Sequence, residues 1–189
     1  MRALIFNGST RPIGNSSNLT GDIIEKLERE GIETLRVDLY SYKFTPCNAC
    51  LTCEMRGDGM CADQSDGTNE ILGAMREADL ILFISPSYAG SIPGPVRTFM
   101  EKASLILEKG DKGLRGKYGA AITVSEHDGA ETAYWQYVYW MLRAQMLVVG
   151  SCPMPIIRAL VSPEYTQDKL AMWGVDNLIS NIVRIAEDM

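Results

Sequence analysis

Arg2-Ala3-Leu4-Ile5-Phe6-Asn7-Gly8-Ser9-Thr10-Arg11-Pro12-Ile13-Gly14-Asn15-Ser16-Ser17 stands at the start of the chain. Residues 2–7 make a short apolar run of strand length, and Gly8-Ser9 ends it. Leu19, Ile23, Ile24 and Leu27 then recur at helical spacing. A helix is expected from about Ser16 to Glu30, with Gly31 stopping it. A strand that feeds a helix through a loop rich in Gly, Ser and Asn is half of an α/β unit, and the rest of the chain repeats the arrangement.

Ile32–Leu39 reads as the second strand. Ile71, Leu72, Met75 and Ala78 mark a helix, and Leu80–Ser85 is an unbroken apolar run, the pattern of a strand covered on both faces. Val96, Phe99, Met100, Ala103 and Leu107 give the next helix, Tyr118–Val124 a fourth strand, and Tyr134, Tyr137, Val138, Met141 and Leu142 a further helix. Met146–Val149 reads as strand five; Ala171, Val175, Leu178, Ile182 and Ile185 mark the last helix. Strand and helix in alternation predict the α/β class, a parallel sheet with helices on both faces. Residues 1–189 are expected to form a single domain. It carries a cysteine-rich insertion at about 43–66 and a C-terminal arm and helix at about 151–189. The arm Ser151–Pro163 holds three prolines and reads as a segment that packs on a neighbouring subunit.

Of the 189 residues, 46% are apolar and 22% charged, ordinary for a soluble globular protein. A net charge of −6 without any Lys/Arg-rich run excludes nucleic acid as a natural partner. The apolar stretch after Arg2 is too short for a secretory signal, and no later run could span a bilayer, so no membrane partner and a cytoplasmic location are expected. Four of the five cysteines crowd into Cys47–Cys61, which does not resemble a secreted disulfide framework.

In open α/β sheets ligands sit outside the carboxyl ends of the strands. Three loops leave strands at that edge: Gly8–Ser17, Ser85–Gly94 and Ser125–Gly129. The first offers a helix N-terminus, with free N–H groups and partial positive charge, plus the hydroxyls of Ser9, Thr10, Ser16 and Ser17. It is not a P-loop, because Ile13 stands where the second Gly belongs and no Lys follows; the dinucleotide fingerprint is also absent. What remains suits one terminal phosphate, as in a mononucleotide. The alternative is a plain strand–helix turn with Ser and Asn caps.

Cys47-x2-Cys50-x2-Cys53-x7-Cys61 supplies four thiols within a short span. A [4Fe–4S] cluster needs four such ligands. Zinc more often uses two separated C-x2-C pairs, and a segment that binds nothing, or forms a labile disulfide, is the third alternative. Glu54, Asp58, Asp63 and Asp66 surround the motif with only Arg56 opposing them in sequence, which predicts a low potential for a cluster there. Cys152 lies far off and reads as a small apolar residue.

These motifs together resemble a known family. Gly8-Ser9-x-Arg11-x-x-Gly14-Asn15-Ser16 resembles the opening of the NAD(P)H-dependent FMN reductases, a branch of the flavodoxin-like fold. Ser85-Pro86-Ser87-Tyr88-Ala89-Gly90-Ser91-Ile92-Pro93-Gly94 resembles their second flavin loop. Pro46-Cys47-x-x-Cys50-x-x-Cys53, with Cys61 and Asp66, resembles the cysteine segment of the iron–sulfur flavoproteins in this group. The resemblance implies a three-layer sandwich around a five-stranded parallel sheet of order 2-1-3-4-5. It implies that Ser9, Arg11, Asn15, Ser16 and Ser17 hold the FMN phosphate. Pro86, Ser87, Tyr88, Ala89 and Ser91 would line the ring and ribityl chain, with Ser125 and Gly129 closing the third side. Cys47, Cys50, Cys53 and Cys61 would carry a [4Fe–4S] cluster.

The function so implied is an electron-transfer flavoprotein in which a cluster and FMN work together on a small-molecule acceptor. No side chain acts as acid or base, because the flavin carries the chemistry. Ferredoxin or NAD(P)H would supply electrons, and a homodimer or homotetramer is expected. A cluster-free NAD(P)H-dependent FMN or quinone reductase is the first alternative, and a non-enzymatic electron carrier or redox sensor the second.

Overall fold

A computed structural model describes residues 1–189. Five parallel strands carry the frame: β1 (Arg2–Asn7), β2 (Glu33–Asp38), β3 (Leu80–Pro86), β4 (Tyr118–Ser125) and β5 (Leu147–Val148), in the order 2-1-3-4-5. The helices are α1 (Asn15–Arg29), α2 (Thr52–Arg56), α3 (Thr68–Glu77), α4 (Gly94–Lys109), α5 (Ala130–Arg143) and α6 (Lys169–Glu187). The sheet order and three layers are those the resemblance implies.

The strand period of two sorts side chains into two cores. From β1 and β3, Ala3, Ile5, Leu80, Leu82 and Ile84 face α1 and α6. Leu4, Phe6, Ile81 and Phe83 face the other way, against α3, α4 and α5. Both faces are covered, so β3 reads as one continuous apolar run. Phe83 sits at the centre of the second core, stacked on Tyr137 at 4.8 Å and edge-on to Trp140.

The far edge of the sheet differs from the sequence expectation. Strand five is only Leu147–Val148, pairing with the start of β4 at Tyr118 and Gly119. The segment expected to be an arm to a neighbouring subunit returns instead as a sixth strand, β6 (Ile156–Arg158). It pairs in parallel with Thr123–Ser125 at the other end of β4. Its three prolines had masked three residues of strand. Beyond β6 the chain is laced to α1: Asn18 Nδ2 donates to Ser162 Oγ at 2.8 Å, and the Tyr165 hydroxyl donates to Asp22 at 2.5 Å.

α6 closes on this segment at Gly174, where a Cβ would lie 2.4 Å from the Pro153 carbonyl oxygen. Gly73, inside α3, has nothing within 4 Å of the same position. Glycine in an open helix interior costs about 1 kcal/mol relative to alanine. Gly73→Ala should therefore raise the urea unfolding midpoint. Gly174→Ala should lower it, by roughly 1–3 kcal/mol of overpacking. Equal shifts in one direction would contradict this packing.

Candidate functional site

β1 delivers the chain to α1 through a loop held from within. The Asn7 side chain donates to Asp38 at 2.7 Å and to Ser17 Oγ at 3.1 Å, and accepts from the Ser9 N–H at 3.2 Å. Ser17 Oγ in turn donates to the Arg11 carbonyl at 2.6 Å. These bonds bend residues 8–14 over the first turn of α1. That turn begins at Gly14 with no side-chain cap and no acidic residue, so its N–H groups and partial positive charge stay available.

Above it lies a cavity of about 450 Å³. Ser9, Arg11, Gly14, Asn15 and Ser16 form one wall, Pro86, Ser87 and Tyr88 the second, and Val124, Ser125 and Glu126 the third. Arg11 is the only basic side chain in the lining. The hydroxyls of Ser87 and Ser125 are buried and have no hydrogen-bond partner. Buried polar groups are normally paired, so two orphaned hydroxyls on one cavity mark a place shaped for a polar ligand. The second and third loops meet closely: Gly129 has φ +81°, and a Cβ there would lie 2.6 Å from the Gly90 Cα and 2.9 Å from Ser87 Oγ. Only glycine permits that approach. A larger groove, about 650 Å³, runs between α4 and α5, but its walls are helix flanks with Trp135, Tyr139 and Trp140 rather than strand ends.

The cysteine segment builds a second cavity, of about 310 Å³, lined by Cys47, Cys50, Cys53 and Cys61 together with Leu51, Leu105 and Ile106. Ala49 and Leu51 bracket Cys50 at positive φ, +53° and +58°. Such turns cost non-glycine residues about 1–3 kcal/mol each and persist only where the surroundings impose them. They reverse the chain twice, so that Cys47, Cys50 and Cys53 all reach one hollow. α3 fixes the other side, where the Asn69 side chain accepts from the Cys61 N–H at 2.7 Å and donates to its carbonyl at 3.0 Å. Hydrogen bonds from Thr52, with a smaller contribution from Lys102, hold the Cys50 thiol below its usual pKa; burial pushes Cys53 up. No three Cys, His, Asp or Glu side chains gather where a single metal ion could be held. The four cysteines thus share a cavity without forming a ready-made metal centre.

The acidic residues around this cavity are each answered by a base. Asp58 pairs with Arg56 and Glu54 with Lys109. Lys102, on α4 and almost wholly buried, reaches Asp66 at 2.7 Å, Asp63 at 3.0 Å and Thr45 Oγ1 at 3.0 Å. The expectation of a low potential from unopposed acids therefore loses its basis, because Lys102 and Lys109 arrive from a helix far along the chain. Burial works against the charge on Asp66. Hydrogen bonds from Lys102 and from the Thr45 and Thr68 N–H groups outweigh it and hold the pKa at about 2.

Comparisons agree with this architecture. Residues 1–156 match the NADPH-dependent FMN reductase family. An iron–sulfur flavoprotein of Methanocaldococcus jannaschii is 35% identical over 79% of this chain and 76% of its own length. The chain belongs to the NADPH-dependent FMN reductase family. An iron–sulfur flavoprotein of Archaeoglobus fulgidus is 28% identical across 99% of this chain and 96% of its own. Among solved structures, RosB with a bound formylriboflavin phosphate intermediate superposes with a TM-score of 0.72 at 20% identity, covering 100% of this chain and 81% of that one, a likeness of fold. As a member of this FMN-binding family, the chain is a flavin-dependent oxidoreductase.

Set on this family fold, Ser9, Arg11, Asn15, Ser16, Pro86, Ser87, Tyr88 and Ser125 all line the one cavity. Ser17, Ala89, Ser91 and Gly129 do not. Ser17 braces the first loop from behind, Ser91 Oγ donates to Gln136 at 3.0 Å, and Ala89 sits at φ +50° in a tight turn between Tyr88 and Ser91. The sequence reading missed a fourth wall, Ala159–Ser162, which β6 places beside the loop that opens α1. His127 is 82% exposed and pairs only with Glu126. No helix is long and apolar enough to cross a membrane.

The lowered pKa of Asp66 gives a signed expectation. A carboxylate whose pKa falls on folding stabilises fully above its unfolded pKa, near 3.8, and that stability fades as pH falls towards about 2. Asp66→Asn should cost roughly 2 kcal/mol at neutral pH and flatten the acid limb of the unfolding curve below about pH 4. An unchanged acid limb in chemical denaturation would contradict this.

Proposed function

We propose that this chain is an iron–sulfur flavoprotein, an oxidoreductase that holds FMN at the α1 cavity and a [4Fe–4S] cluster on Cys47, Cys50, Cys53 and Cys61. The observation that carries it is the pairing of two cavities of different chemistry. One offers an uncapped helix N-terminus, Arg11 and two orphaned hydroxyls, as a phosphoester needs; the other is walled by four thiols and aliphatic side chains. A cube spreads its ligands over four corners, whereas a single ion draws them to one point. Four thiols that share a cavity without converging suit the former. The names of the Methanocaldococcus and Archaeoglobus relatives support the same reading.

FMN, when bound, supplies one- and two-electron chemistry, and a cluster supplies single electrons. The chain's own residues bind and orient. The α1 N–H groups, Ser9, Ser16 and Arg11 would take the phosphate. Ser87 and Ser125 would donate to the polar edge of the ligand, and Tyr88, tied to Thr10 Oγ1 at 3.4 Å, would wall the ring. No side chain acts as acid or base. The electron donor would be ferredoxin or NAD(P)H, the acceptor a small molecule, the assembly a homodimer or homotetramer, and the compartment the reducing cytoplasm, where free thiols persist. A cluster-free NAD(P)H-dependent FMN or quinone reductase is the second reading, favoured by the match of residues 1–156 to the NADPH-dependent FMN reductases.

Two experiments test this. Ser125→Ala should weaken FMN binding about tenfold, since a hydrogen bond to a ligand is lost, yet leave the FMN-free protein as stable or more so, since an unpaired buried hydroxyl is removed. Titration and thermal unfolding with and without FMN read both signs; equal affinity would place the ligand elsewhere. Iron and acid-labile sulfide should be present after anaerobic purification. They should fall in Cys47→Ser, Cys50→Ser, Cys53→Ser and Cys61→Ser, and hold in Cys152→Ser. Wild-type protein without iron would leave the cluster-free reductase as the better account.

A further inference from the structure

Lys102 is the one side chain in the cysteine cavity that is both cationic and buried, and it is not on the cysteine segment at all. It sits in the middle of α4. Its ammonium spans the two ends of the loop that carries the thiols. At the entry, Thr45 lies two residues before Cys47, and its Oγ1 accepts from Lys102 at 3.0 Å. At the exit, Asp63 and Asp66 follow Cys61 and bind the same ammonium at 3.0 and 2.7 Å. Entry and exit also bond directly, since the Thr45 N–H donates to Asp66 Oδ2 at 3.0 Å. Asp66 Oδ1 accepts from the Thr68 N–H at 3.0 Å, fixing the same carboxylate to the first turn of α3.

We propose that Lys102 is a positioning residue for the four thiols: by clasping Thr45 to Asp63 and Asp66 it sets where Cys47 stands against Cys61 before any cluster is present. This rests on the reading that the thiols receive a cluster, but the clasp itself is a property of the metal-free chain. Residues 46–62 contain no helix beyond the single turns of α2 and no strand, so little inside the loop fixes its shape. Ala49 and Leu51 are held at unfavourable φ. A loop with strained turns and few internal bonds relaxes unless its neck is tied. A buried ammonium with three oxygen partners is a stiff tie, because its bond to the equally buried Asp66 cannot be exchanged for water without opening the segment.

The test uses full-length protein with FMN bound and thiols reduced. Lys102→Met leaves two carboxylates facing each other, a charge pair that can unfold the segment outright, so Lys102→Met with Asp66→Leu is made beside it. That pair removes both charges while filling the space, a change that buried ion pairs often tolerate. Thiol reaction with a disulfide reagent is followed before reconstitution, with exposed Cys152 as the internal standard. Iron content and the electron paramagnetic resonance signal are read after reconstitution. The expected result for the double variant is an unfolding midpoint and FMN affinity close to wild type, with Cys53 and Cys61 reacting about tenfold faster. It should also show less iron and a broadened or altered resonance signal. Lys102→Arg should recover part of the slow thiol reaction. If wild-type protein takes up no iron but the thiols quicken in the double variant, the positioning role stands and the cluster reading fails. If thiol rates, iron and signal all match wild type, the positioning role is overturned whatever the cluster does.

Discussion

A parallel strand cannot turn back on its neighbour, so each strand of this sheet must hand the chain to a covering segment at the same edge. That constraint governs the molecule. β1, β3 and β4 each hand the chain to a helix at this edge, and their loops converge although the first and third lie more than a hundred residues apart in sequence. Backbone N–H groups at the start of α1 have no partner inside the helix and need one from outside. Loops that bring hydroxyls to that point make a polar hollow in a fold whose two cores are otherwise apolar. The hollow is thus a consequence of the sheet, and loop composition decides what it accepts.

The same constraint explains how much could be read from the chain. β1, β3, β4, α1 and α4 were legible because their apolar periods are long and their ends carry Gly or Pro. Strand five was legible as Met146–Val149, where Leu147–Val148 is strand, but Ile156–Arg158 was not. It is too short to show a period, and the prolines before it signal a loop. Missing β6 also hid the Ala159–Ser162 wall, since nothing in those four residues announces a ligand. The cysteine spacing was plain, whereas the partners of its acids were not. Asp63 and Asp66 pair with Lys102 across some forty residues of sequence, through a helix that looks ordinary by its period. Ser87 and Ser125 were legible as loop serines; that both hydroxyls lack partners could come only from the folded arrangement.

Burial decides which charges matter. The chain carries a net charge of −6, yet that excess does not collect at the cysteine cavity. Exposed pairs such as Lys26–Asp176 and Arg29–Glu25 contribute little, being screened by water. Lys102 with Asp66 is different. Both are buried; losing Lys102 leaves Asp66 without a countercharge, and losing Asp66 leaves Lys102 only the half-exposed Asp63 as a countercharge. Such a pair is a weak source of net stability compared with a well-packed apolar pair.

α4 runs from the end of the Tyr88 loop to the wall of the cysteine cavity. Its first turn follows Pro93 at the end of the Tyr88 loop, and Lys102 stands about 12 Å further along the same helix at 1.5 Å per residue. The helix is bound to the core by Val96, Phe99, Met100, Ala103, Ile106 and Leu107, which leaves it little freedom to slide or rotate. The sheet supplies a common edge for the three ligand loops, and α4 carries that frame to the cysteine segment, which has almost no regular structure of its own. The segment takes its order from outside itself, from α4 through Lys102 and from α3 through Asn69.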